Sequence, residues 1–147
     1  MSTTTDALSD VVSTLKAGES FYSDAKEKAN SSELKSVFAE MERTRKEAIG
    51  DLEHFIEKRG DDAPSASWSE QAKASYTSAM EFFKDRDNDA SLLAKLEEHE
   101  DRTLEAFRGA LNDVKNDEAR SKLNEHLQTF QDTHARMKSL KDQHVDA

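Results

Sequence analysis

A chain of 147 residues with net charge −10 and no cysteine is one domain's worth of sequence, without disulfides, thiolate chemistry or zinc-finger sites. The acidic balance argues against nucleic acid, whose phosphates need a basic patch, and no run approaches the ~18 consecutive apolar residues of a membrane span. Met1 to Asp10 has neither the basic nor the apolar region of a secretory signal, so a cytoplasmic protein is expected. Leu, Ile, Val and Phe together make up under a fifth of the residues, a level that in a highly charged chain signals disorder. Periodicity overrides it: the apolar residues fall in helical register, and one proline and four glycines leave helix favoured almost everywhere.

The pattern predicts a first helix over about 5–29, with Val12, Leu15, Glu19 and Tyr22 along one seam. Asn30 is the expected N-cap of a second helix over about 31–59, with Glu33 placed as in a capping box. Its seam is Phe38, Met41, Arg45, Ala48, Leu52 and Phe55, and Lys58-Arg59-Gly60 forms the stop signal. The stretch 60–67, with the only proline, Pro64, is a loop. A shorter helix over about 68–84 carries Trp68, Tyr76 and Phe83 on one side, and is expected to pack on the bundle. The third long helix covers about 89–115, with Leu93, Glu97, Glu100, Leu104, Phe107, Leu111 and Val114 along its seam. A tight turn at Asn116-Asp117 leads to the fourth, over about 117–143, whose seam is Leu123, Leu127, Phe130, His134 and Met137.

Tight joints between helices 1 and 2, and between 3 and 4, make two antiparallel hairpins. The long middle connection returns along the bundle and sets helices 2 and 3 parallel. The expected fold is therefore all-α: a single domain over 1–147, a four-helix bundle with one long crossover connection containing a short extra helix.

Each seam is interrupted near mid-length, at Glu19, Arg45, Glu97 with Glu100, and His134. Ionisable groups facing a core are costly unless paired or bound to a metal. With helices 1 and 4 running one way and 2 and 3 the other, Glu19, Glu42, Glu97 and His134 fall about 4–7 Å to one side of the midplane. Arg45 and Glu100 lie one turn away. The four interruptions thus form one polar layer.

Carboxylates from two helices plus a Glu-x-x-His motif on each of two others form the ligand pattern of di-iron bundles. Here Glu42-Arg43-Thr44-Arg45 has arginine in place of histidine, and Gln131-Asp132-Thr133-His134 has glutamine in place of glutamate. The stretches Gly18-Glu19-Ser20-Phe21, Glu97-Glu98-His99-Glu100-Asp101 and Thr133-His134-Ala135-Arg136 resemble an uncharacterised bacterial family of ferritin-like four-helix bundles, known only as a domain of unknown function. That resemblance extends over nearly the whole chain. It implies a ferritin-like fold, a stress-related role, and a metal set comprising Glu19, Glu42, Glu97, Glu100 and His134, with Arg45 and Gln131 at positions where ligands are expected.

Arg45 cannot ligate and brings a permanent positive charge, so a complete di-iron centre is disfavoured. The favoured reading of the layer is a buried ion network without a metal or other cofactor. The rival is a single divalent ion, Fe or Mn, in a metal-binding protein or oxidoreductase. Of the other histidines, His99 and His126 are expected to be satisfied flanking residues, and His54 to be exposed. The function expected from these residues is non-enzymatic: a helical bundle that works through a protein partner or as a homo-oligomer.

Overall fold

The computed structural model describes residues 3–58, 77 and 89–145. Among these are four long helices and no strand: α1 (Thr3–Lys28), α2 (Ser32–Lys58), α3 (Asp89–Asp113) and α4 (Asp117–Val145). The expected bounds agree to within two residues at each end. The 68–84 helix, with its aromatic side, lies outside the described residues. No helix among the described residues is long and apolar enough to cross a membrane.

The joints are held by local chemistry. Ser31, not Asn30, caps α2: its Oγ accepts the Leu34 N–H at 3.3 Å. The Asn30 N–H, with that of Ser31, donates to the Asp89 carboxylate at 2.8 and 3.2 Å. Those two bonds fasten the α1–α2 turn to the first residue of α3. At the other end of the bundle Asn116 caps α4 by accepting the Ala119 N–H at 2.9 Å. No basic residue lies in the last turn of α3. Arg120 of α4 supplies that charge instead, donating to the Leu111 and Val114 carbonyls.

These ties fix the directions. The start of α3 sits at the α1–α2 turn, so α3 runs antiparallel to α1 and parallel to α2. Around the bundle α1 packs against α2 and α3, and α4 packs closely against α3. Helices α2 and α4 touch sparsely and are joined by the ion pairs of Asp51 with Lys122 and Glu40 with Arg136, and by the Asp51–His126 hydrogen bond. The diagonal of the bundle therefore sets α2 opposite α3.

The core is divided. One apolar cluster holds Leu8, Val12, Leu15, Leu52, Phe55, Phe107, Leu123 and Phe130. The other holds Phe21, Tyr22, Leu34, Phe38, Met41, Leu93, Leu96 and Met137. Between them lie buried Arg45, His99, Glu100 and Thr103. A polar layer thus crosses the middle of the bundle, and its membership differs from the seam reading.

Candidate functional site

The layer centres on Glu100. Its Oε1 accepts the Tyr22 hydroxyl at 2.5 Å and an Arg45 guanidinium N–H at 3.1 Å. Its Oε2 accepts the Thr133 hydroxyl at 3.0 Å. One carboxylate of α3 therefore takes donors from α1, α2 and α4. The Arg45 and Glu100 side chains are each only 1% exposed. Arg45 also donates to the Thr103 hydroxyl at 3.3 Å, and Thr103 in turn donates to the His99 carbonyl at 3.0 Å.

The guanidinium lies between the two apolar clusters, 5.3 Å from the Tyr22 ring centre and 5.0 Å from that of Phe130. Such contacts contribute most where the cation is desolvated. A side chain as large as arginine fits because α1 has none at position 18. A Cβ built on Gly18 would lie 2.7 Å from His99 Nε2 and 2.8 Å from Arg45 Cζ and Nε. Arg45 and His99 rest directly on the α1 backbone.

Burial pushes the Tyr22 hydroxyl well above its ordinary pKa of 10.0, and the Glu100 charge adds to the shift. The same burial, with the Arg45 charge, holds His99 well below its ordinary 6.5, so its ring is neutral. His99 packs edge-on to Phe21 at 4.8 Å, and neither ring nitrogen makes a well-aligned hydrogen bond. It is therefore more deeply buried, and less satisfied, than its flanking position suggested. The other two guanidinium nitrogens of Arg45, Nε and Nη1, also lack hydrogen-bond partners in the protein.

The five residues read from the sequence as one metal set occupy three places. Glu100 is the hub just described. Glu19 and Glu42 lie in the α1–α2 groove among lysines: Glu42 meets Lys26 at 3.0 Å, and both carboxylates lie 3.9 Å from Lys46. Burial and the neighbouring Glu42 raise the Glu19 pKa against the pull of Lys46 and Lys16. Glu97 and His134 come together on the α3–α4 side, 3.5 Å apart, where Asp101 joins them at 2.6 Å from His134 Nε2. Gln131 is exposed.

The shift has a geometric cause. Helix α3 packs on both α1 and α4, so its buried face is wider than one heptad stripe. His99 and Thr103 turn into the interior, and Glu97 and Asp101 move to the groove beside α4. A di-iron centre of the kind the resemblance implies does not fit these residues. The guanidinium already sits at the one fully buried carboxylate among the described residues, and Glu19 and Glu42 are engaged by ammonium groups instead of converging on it.

Several participants went unnoticed in the sequence, Gly18 and Thr103 among them. Tyr22 and Thr133 are neutral hydroxyls that a search for charges passes over. Asp101 lies one turn from Glu97, a spacing that places both on one face. On the α2–α4 side Asp51 takes His126 at 2.7 Å and Lys122 at 3.2 Å. Burial would raise the Asp51 pKa, but those two hydrogen bonds outweigh it and bring a net lowering.

The family described as a domain of unknown function, DUF2383, matches residues 3–113. The chain belongs to that family. The match spans α1, α2 and α3, including Gly18, Arg45, His99, Glu100 and Thr103, whereas the resemblance read from the sequence extended over nearly all of the chain. No curated protein matches the chain.

Proposed function

We propose that this member of the DUF2383 family is a non-enzymatic helical scaffold of ferritin-like type, working in the cytoplasm through protein contact or self-association. Its polar layer is a degenerate di-metal site turned to structural use, and a stress-related role follows from the family resemblance. The observation that carries this reading is the Arg45–Glu100 pair: both side chains are 1% exposed, and Tyr22 and Thr133 also donate to the same carboxylate. A buried carboxylate that takes donors from the three other helices fixes their register, which is the best-attested use of buried charge. Aerobic oxidation of Fe²⁺, followed by the absorbance of the ferric product, tests the reading. The scaffold predicts the rate of protein-free buffer; a saturable acceleration by the protein would contradict it.

A further inference from the structure

Outside the buried layer, one group of side chains among the described residues has the composition and spacing of a metal site. Glu97 and Asp101 stand one turn apart on α3, and His134 faces them from α4. One ligand atom from each lies within 4.8 Å of the others. Three ligands held about 2.1 Å from a tetrahedral ion stand about 3.4 Å from one another. The His134–Glu97 separation of 3.5 Å already meets that requirement, and the His134–Asp101 separation of 2.6 Å needs to open by under an ångström.

A second observation points to a ligand. His134 Nε2 is shut off from water, yet neither nearby carboxylate oxygen is placed to form a well-aligned hydrogen bond with it. A ring nitrogen aimed at two carboxylates, without a good bond to either, is the arrangement a cation completes. The site also has an entry path: the Asp101 side chain is 55% exposed, against 22% for His134 and 14% for Glu97. Lys141 Nζ lies 3.5 Å from the second Glu97 oxygen and competes with any ion for that carboxylate.

We propose that Glu97, Asp101 and His134 form an exchangeable mononuclear site for a divalent transition ion of the Zn²⁺ class. One imidazole and two carboxylates suit such an ion, and water takes its remaining position. The site is distinct from the di-iron pattern, because it excludes Glu19, Glu42 and Glu100 and recruits Asp101. Loading joins α3 to α4 by coordination bonds, and any proton on Nε2 leaves to solvent. The proposal does not depend on the scaffold reading, since Zn²⁺ has no redox chemistry.

The test is Zn²⁺ titration by calorimetry of untagged, chelator-treated protein, with a thermal melt at each metal ratio. We expect one ion per chain and a melting temperature that rises with Zn²⁺ and returns with EDTA. Asp101→Asn, at an exposed position that should not disturb folding, and His134→Ala should each weaken binding at least about tenfold, since even residues that only support a ligand matter at that level. Lys141→Met should tighten it. His126→Ala, at the other histidine–carboxylate contact, should leave it unchanged. Absence of saturable uptake would overturn the proposal. So would uptake that Asp101→Asn leaves intact in a variant shown by circular dichroism to be folded, or that His126→Ala abolishes.

Discussion

Replacing Gly18 by alanine adds one methyl group where the structure has no room for it. In an ordinary helix interior the change stabilises by about 1 kcal/mol, because glycine loses the most backbone entropy on folding. At Gly18 the new Cβ would meet His99 Nε2 at 2.7 Å and Arg45 Cζ and Nε at 2.8 Å, all closer than real Cβ contacts come. Neither neighbour can yield cheaply. His99 is held by Phe21, and Arg45 cannot withdraw without lengthening its 3.1 Å bond to Glu100. Overpacking a filled core costs about 1–3 kcal/mol, and weakening a buried ion pair adds to that. The clash therefore outweighs the propensity gain, for a net loss of about 1–2 kcal/mol. Gly50 is the internal control: it is exposed on α2, and a Cβ there meets nothing within 4 Å. Gly50→Ala should stabilise by about 0.5–1 kcal/mol. Urea unfolding followed by circular dichroism at 222 nm measures both. If Gly18→Ala and Gly50→Ala move the midpoint in the same direction by the same amount, Arg45 and His99 do not rest on the α1 backbone and the layer is wrongly placed.

Two further outcomes follow from the buried titratable groups. The folded-state pKa of His99 is depressed, so the unfolded chain takes up a proton that the folded one refuses; stability falls as pH drops below about 6.5, by up to ~1.4 kcal/mol per pH unit. His99→Gln should flatten that part of a pH–stability profile, and an unchanged profile would show that His99 is solvated. Tyr22 is the opposite case: its raised pKa means the unfolded chain ionises first, so stability falls as pH rises past about 10. Tyr22→Phe should lessen that alkaline loss while costing about 1–3 kcal/mol at neutral pH, because Glu100 loses its 2.5 Å donor. Denaturant midpoints across pH 5–11 resolve both effects.

The seam pattern carried the fold, because apolar spacing and stop signals depend only on local chemistry. Helix bounds, hairpins and the parallel α2–α3 relation were legible for that reason. The interruption at Arg45 was legible as well, since a cation in the middle of Phe38, Met41, Leu52 and Phe55 must find a buried partner. What the spacing did not carry was rotation by one residue at α1 and α4. On α1 the layer position is Gly18, with Glu19 swung to the lysine groove. On α4 it is Thr133, with His134 turned towards Glu97 and Asp101. A helix touching two neighbours buries a stripe wider than a heptad seam, and long charged side chains at its edges reach out of it. Glycine marks no chemistry in a sequence, so the place that admits the guanidinium was not visible until α1 and α2 were brought together.

The central claim is that Arg45 and Glu100 form one closed unit, and a double-mutant cycle measures it directly. Arg45→Met strands a buried carboxylate and Glu100→Leu strands a buried guanidinium, each at a cost of about 3–5 kcal/mol. Arg45→Met/Glu100→Leu removes both charges and leaves the buried Tyr22 hydroxyl without its acceptor. Buried pairs replaced this way often lose nothing or gain stability, so the double variant should lose no more than the roughly 1–3 kcal/mol of the Tyr22 hydroxyl left unpaired. The coupling energy, from the four unfolding free energies, should exceed about 3 kcal/mol, beyond the usual range for contacting residues because each single change leaves a buried charge alone. Additive effects, with the double variant as unstable as the two single losses combined, would mean that the two side chains do not neutralise each other and that the layer is not an ion network.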